Sequence, residues 1–342
     1  MVDLRAACLG GIDHRTHRLP AVKIAVLGPG GVGGLIAGLL ERAGTPVLVV
    51  AREQTAEAIS VRGLHIDSVS FGEFVSHPRA VSHLDEPVDV LILATKASGL
   101  RAALERVGGP PIDQPKLVLP LLNGLDHLPV LRERFGADAV LAGTIRVEAD
   151  RPEPGVVVHT SPFLLVEMAS HDPGKRASME SLAELLKEAG VSARVGASEA
   201  QVMWSKLVRL NALACTTSAY DKLLGEIRST PDLRSALVGA IEEGCAVGQA
   251  EGATDVDPAK ALGELEQAHA TLGSSMQRDI AAGREPELDA IPGSVLRAAA
   301  RHGIECPTIE RLAGLIAARA GVPAPTVSAE VRPAHKCARA AV

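Results

Sequence analysis

The sequence predicts an α/β domain built on a doubly wound parallel sheet, followed by an all-α domain. Three observations predict this. A β-branched, apolar run at 22–27 leads directly into regularly spaced glycines and a helix-like stretch at 32–43. Short apolar runs then alternate with helical stretches as far as about residue 195, the order expected when helices cover both faces of a parallel sheet. After about Gly196 the strand signal stops and only helical periodicity remains. The expected division is a disordered extension over 1–20, an α/β domain over 21–196, a helical domain over 197–320 and a flexible tail over 321–342.

Taken in order, Val22–Leu27 is long enough for one buried strand. Gly28, Pro29, Gly30, Gly31, Val32 and Gly33 then form G-x-G-x-x-G at the start of a helix that Gly44 ends. In such a strand–turn–helix unit the first glycine permits the tight turn, and the second lets a pyrophosphate approach the backbone. The third lets the helix pack on the strand, and the helix N-terminus offers free N–H groups to the phosphate. A second strand, Pro46–Val50, ends at Ala51-Arg52 with no Asp or Glu over 48–51. An acid there usually holds the ribose hydroxyls of NAD, whereas an arginine meets the 2′-phosphate of NADP, so Arg52 predicts NADP. Residues 61–84 read as a pair of edge strands. The nearly continuous apolar run 88–94 reads as a strand buried on both faces, and residues 98–107 read as helix. Another buried strand is expected at 116–122. Lys96 and Asn123 thus follow the carboxyl ends of two central strands, the edge where open α/β sheets bind ligands. A strand at 139–145, a hairpin of 156–159 with 163–167 around Ser161-Pro162, a helix over 175–189 and a strand at 191–195 complete the domain. Helices are expected at 198–224, 231–252, 258–272 and 294–319.

Composition narrows the function. The net charge of -6 gives no general attraction to nucleic acid or to anionic membranes, and 2% aromatic residues leave few platforms for stacking bases. No apolar run approaches the ~20 residues of a membrane span. The five cysteines are scattered, odd in number and without C-x-x-C, which fits reduced thiols in the cytoplasm and neither a disulfide frame nor a metal site. His14 and His17 lack further ligands, so no metal is expected.

Five separated pieces carry a more specific pattern: GPGGVG at 28–33, TKA at 95–97, LLNG at 121–124, WSKL at 204–207, and SSMQRD at 274–279 with ELDAIPG at 287–293. In this order they resemble the ketopantoate reductase family, over residues 22 to about 320. The resemblance implies a Rossmann-type N-terminal domain and a helical C-terminal domain like that of 6-phosphogluconate dehydrogenase. It also implies NADPH as cofactor and reduction of a small 2-oxo acid, by default 2-dehydropantoate in pantothenate biosynthesis. A homodimer through the helical domain is expected. By the same resemblance Lys206 is the proton donor. An ammonium beside a carbonyl oxygen stabilises the charge built by hydride addition and then delivers a proton. Asn123 would bridge nicotinamide and substrate, Lys96 would hold an anionic group, and Ser275 would contact substrate. Glu287, twelve residues after Ser275, would bind cofactor or orient Lys206, and Ala149 would offer its backbone to NADP.

The pattern departs at one place. The family usually carries asparagines four and eight residues after its lysine, where this chain has Leu210 and Ala214. Asn211 stands five residues on, rotated by about 140° on an ideal helix. It would meet substrate only if a π-bulge realigned it. Alternatives are a relative acting on another 2-oxo acid or on a β-hydroxy acid, and an NADP-sensing protein without turnover.

Overall fold

The computed structural model describes residues 22–327. The N-terminal extension, His14, His17, Cys8, Cys337 and most of the expected tail lie outside the described residues. Strand β1 (Ile24–Leu27) is fully buried and pairs in parallel with β2 (Val47–Val50) and β6 (Val90–Leu93). With β5 (Arg79–Val81) and β7 (Leu117–Pro120) they form a parallel sheet in the order β5-β2-β1-β6-β7. Helix α1 (Gly31–Arg42) buries Leu35, Ile36, Leu39 and Leu40, an i, i+1, i+4, i+5 stripe, under one sheet face. Helices α2 (Glu53–Arg62), α3 (Leu100–Leu104) and α4 (His127–Phe135) belong to the same domain. The order reverses across β1: the chain runs to β2 on one side and returns to β6 on the other. The crevice at the carboxyl ends of β1 and β6 is therefore the ligand-binding position of the fold.

Two smaller sheets flank this one. Strands β3 (Leu64–Ser68), β4 (Phe74–Ser76), β9 (Ala149–Asp150) and β10 (Val156–His159) run in the order β4-β3-β10-β9. Strands β8 (Ala142–Arg146), β11 (Leu165–Ala169) and β12 (Ser192–Val195) run in the order β12-β11-β8, with α5 (Arg176–Glu188) packed on them. The hairpin expected at 156–167 does not form. Strand β10 pairs with β3, and β11 pairs with β8 and β12. Pro162 cannot donate to a ladder, and the buried Ser161 hydroxyl ties the crossing down by donating to the Phe163 carbonyl at 2.7 Å. The region 61–84 likewise gives three strands rather than two, the third joining the main sheet.

Among the described residues beyond β12 all regular structure is helical: α6 (Glu199–Tyr220), α7 (Leu224–Ser229), α8 (Pro231–Ala250), α9 (Pro258–Gln267), α10 (Ser275–Ala281), α11 (Ser294–His302) and α12 (Pro307–Ala320). The expected helix over 294–319 is broken, because Gly303 takes the left-handed conformation at φ +66 and Pro307 starts a new helix. Helix α6 is the spine of this domain. Ser198 caps its first turn through the Gln201 N–H at 3.1 Å, and Trp204, Leu207, Val208 and Ala212 enter the helical core. Among the described residues no helix is long and apolar enough to cross a membrane.

Candidate active site

The glycine loop sits at the carboxyl end of β1. Gly28 has φ +90, and a Cβ there would stand 2.6 Å from Thr95 Cγ2, so only glycine makes this turn. A Cβ on Gly30 would meet nothing closer than the Ala94 carbonyl oxygen at 4.0 Å, leaving open space over the loop. No side chain caps α1, and its first rung is the Gly34 N–H to the Gly30 carbonyl at 2.8 Å. The N–H groups of Gly31, Val32 and Gly33 in the first helical turn therefore have no intrahelical partner and can meet a ligand. Open space, free donors and the positive helix end together fit a dinucleotide pyrophosphate. Ala149 lies beside the glycine loop: its carbonyl oxygen is 2.5 Å from the position of a Gly31 Cβ, so β9 walls the loop. Arg52 is exposed at the carboxyl end of β2, in the backbone position before α2. The next residue, Glu53, is held by Arg106 at 2.9 Å, and that hydrogen bond pulls its carboxyl down to about 2. Glu53 is thereby committed to a guanidinium that also donates to the Ser82 carbonyl at 3.0 Å.

Across the crevice, three of the expected residues meet in one chain of hydrogen bonds. Lys206 Nζ donates to Asn123 Oδ1 at 2.8 Å, and Asn123 Nδ2 donates to Glu287 Oε2 at 2.8 Å. Glu287 Oε1 accepts from the Ala97 N–H at 3.4 Å. Lys206 comes from α6, Asn123 from the loop after β7, and Glu287 from the segment before α11, so both domains build the site. Trp204, two residues earlier, points into the helical core from the opposite side of α6. The Lys206 side chain is buried, with 9% exposure. Burial pushes its ammonium down to about 8, the Glu287 carboxylate opposes this, and Arg209 and Arg146 add to the downward push. A lysine with this pKa exchanges its proton near neutrality, which general acid–base chemistry needs.

A π-turn sets the position of Glu287. At Asp289–Gly293 the Gly293 N–H reaches back five residues to the Leu288 carbonyl at 3.2 Å. Pro292 has no N–H to keep the α-helical ladder, and the wider turn absorbs the break. The loop carrying Asn123 packs directly on this turn. A Cβ on Gly124 would stand 1.9 Å from the Ala290 carbonyl oxygen. Arg297 clamps the two by donating to Asp126 at 2.5 Å and to Asp289 at 2.7 Å.

Lys96 is tied to the other domain: its ammonium lies 2.7 Å from Asp279, an acid whose side chain is 8% exposed and which also takes Arg284 at 2.9 Å. Ser275 is exposed one turn before Asp279, hence on the face of α10 that turns towards Lys96. It does not cap α10. Ser274 does, accepting from the Gln277 N–H at 3.1 Å and from Thr217 at 2.8 Å. Sequence reasoning missed Asp279 and Arg297. Asp279 had a signal, since four residues separate it from Ser275 on a helix.

Asn211 is not brought to the site. Helix α6 is regular throughout and holds no π-bulge, so Asn211 keeps its 140° rotation from Lys206. Its side chain is fully buried, its amide oxygen accepts from Cys215 Sγ at 3.4 Å, and its amide nitrogen has no partner among the described residues. The expectation that Asn211 contacts substrate is corrected accordingly. Asn211→Ala is expected to leave KM within about twofold of wild type in steady-state assays. The stability change is expected to be small too, because the substitution also removes a buried amide that lacks a full set of partners.

Two family models match the chain. The ketopantoate reductase PanE/ApbA model covers residues 24–169, and the ketopantoate reductase PanE/ApbA C-terminal model covers residues 200–326. The chain is 30% identical to the 2-dehydropantoate 2-reductase of Mycobacterium tuberculosis over 310 residues, 89% of this chain and 99% of that protein. Among solved structures it superposes on the 2-dehydropantoate 2-reductase of Geobacter metallireducens with TM-score 0.78 and 27% identity, covering 86% of this chain and 99% of that one. It shares its fold with D-mandelate dehydrogenase solved with NADH and anilino(oxo)acetate, at TM-score 0.80 and 23% identity, covering 88% of this chain and 99% of that one. With both domains matched and the glycine loop facing a lysine across the crevice, this chain belongs to the ketopantoate reductase PanE/ApbA family and is a nicotinamide-dependent oxidoreductase.

Proposed function

We propose that the protein reduces a 2-oxo acid with NADPH, taking the proton from Lys206. The observation that carries this reading is the Lys206–Asn123–Glu287 chain, which sets a buried ammonium opposite the glycine loop. NADPH, when bound, supplies the hydride. As the carbonyl carbon gains that hydride, its π pair moves to oxygen, and Lys206 Nζ stabilises the developing alkoxide and gives it a proton. The neutral amine left behind regains a proton from solvent, and the product is the 2-hydroxy acid. Asn123 holds Lys206 in place while its Nδ2 stays engaged by Glu287, so the ammonium points into the crevice before substrate arrives.

2-Dehydropantoate, named by the relatives, is the first substrate to test, in the route to pantothenate. A second reading has its own observation. On the regular helix α6, Leu210 and Leu213 share the face of Lys206, and both are half-buried. That surface favours a 2-oxo acid with an apolar side chain over one with a hydroxyl, since an unpaired buried hydroxyl costs ~1–3 kcal/mol. NADPH oxidation over a panel of 2-oxo acids tests both. No turnover with any of them would sink the reductase reading, and 2-dehydropantoate outrunning every apolar acid would sink the second.

The cofactor preference rests on Arg52. Arg52→Ala is expected to weaken NADPH binding by ~10–100-fold, the worth of a lost charge-assisted contact, and to leave NADH nearly unchanged. Equal losses for both cofactors, measured by fluorescence titration, would show that Arg52 does not read the 2′-phosphate.

A further inference from the structure

Beside Lys206 lies a cluster of charges that the proton-transfer chain does not use. Arg146 stands at the end of β8 in the α/β domain, and Arg209 stands on α6 one turn after Lys206. Both approach one oxygen of Glu264 on α9, at 3.3 Å from Arg146 and 3.5 Å from Arg209. Behind them Glu167 lies 3.9 Å from Arg146, but its other oxygen is already taken by Arg194 at 2.7 Å. Two carboxylates therefore answer three guanidiniums, with the Lys206 ammonium as a further cation nearby. The Nε atoms of Arg146 and Arg209 are both buried, and neither donates a hydrogen bond to any of the described residues, Glu167 and Glu264 standing off from them at 3.9 and 3.5 Å. Burial first, and Arg146 second, hold the Arg209 guanidinium below its usual range. Buried guanidinium donors are seldom left without an acceptor, so the cluster is short of one anion.

Its location fits that anion. Lys206 and Arg209 are three residues apart and so adjacent on one helix face, the face from which Lys206 reaches Asn123 in the other domain. Although their Nε atoms are buried, the side chains keep some exposure, 19% for Arg146 and 28% for Arg209. In a 2-oxo acid the carboxylate is bonded to the carbonyl carbon, so a group that binds it must lie close to the proton donor. The positions where the family usually places asparagines carry Leu210 and Ala214, which cannot bind a carboxylate. We propose that Arg209 and Arg146 together hold the substrate carboxylate, taking it into the place that Glu264 now partly fills. This rests on the 2-oxo acid reading and adds the residues that select for the acid. Because one arginine comes from each domain, the bound carboxylate also ties the domains together across the crevice.

The test uses oxamate, an unreactive 2-oxo carboxylate, titrated calorimetrically into the full-length protein with NADPH present, alongside turnover of a 2-oxo acid and of its methyl ester. Arg209→Met and Arg146→Met are each expected to weaken oxamate binding by ~10–100-fold, as for a lost charge-assisted pair. Each should raise KM more than it lowers kcat and bring the preference for acid over ester close to unity, with NADPH affinity unchanged. Arg209→Lys should recover part of the loss. Glu264→Gln, which removes the competing carboxylate, should tighten oxamate binding. Unchanged oxamate affinity in both methionine variants would overturn the proposal, as would an intact preference for acid over ester. Oxamate binding that depends on the arginines, in a protein that reduces no 2-oxo acid, would instead overturn the reductase reading and leave the anion site standing.

Discussion

Lys206→Ala is expected to lower kcat ~10²–10⁴-fold, the range for a positioned general acid, while NADPH still binds. The pH profile separates this role from a structural one. With the ammonium pushed down to about 8, reduction should hold steady below that pH and fall above it, because the donor loses its proton. Oxidation of the 2-hydroxy acid should show the opposite limb and rise through the same pH. The sign for stability follows from the same shift. The folded value lies below the unfolded 10.5, so the buried charge destabilises the fold at and below about pH 8. Stability is regained as pH rises towards the unfolded value. Lys206→Met should therefore match or exceed wild type in thermal stability at pH 7, with the difference shrinking towards pH 10. A variant that keeps near wild-type turnover would move the donor role elsewhere. Lys96 would be the next residue to test, although its ammonium is held by Asp279 at 2.7 Å.

Much of this site was legible because local rules govern it. Gly28, Gly30 and Gly33 follow from what a strand–turn–helix must do around a phosphate, and Lys96 and Asn123 from the ends of two continuous apolar runs. Lys206, Ser275 and Glu287 were not legible from local rules. A lysine on a helix is ordinarily solvated, and only the ordered family motifs singled these residues out. What stayed hidden depends on contacts distant in sequence. Arg297 reaches Asp126 across 171 positions, and Arg146 reaches Glu264 across 118. No periodicity carries such a pairing. The misread hairpin has the same origin. Strands β10 and β11 both look like good strands, but their partners, β3 and β8, are chosen by packing elsewhere in the chain. The π-turn before α11 had no signal in the motif pattern. The motif shift at Asn211 left a bulge in α6 as one of two alternatives; α6 is regular, and the irregularity occurs at Pro292, where a missing N–H accompanies it.

Asn123→Ala is expected to reduce kcat by about 10²-fold, because it breaks both hydrogen bonds that link Lys206 to Glu287. The ammonium would lose its only side-chain acceptor among the described residues, and the lysine would no longer be held towards the crevice. Residues that act as one unit are not additive, so the Asn123→Ala, Lys206→Ala double variant should be no slower than Lys206→Ala alone. Glu287→Gln probes the other end. Glu287 is the group that supports the protonated state of Lys206 against burial, so its neutral form should move the alkaline limb of kcat below about 8. The amide still offers an oxygen to Asn123, so the geometry survives while the charge is lost. A shifted limb in Glu287→Gln, with an unshifted limb and lower plateau in Asn123→Ala, would separate charge support from positioning. Full additivity in the double variant would mean that Asn123 acts on the substrate directly and not through the lysine.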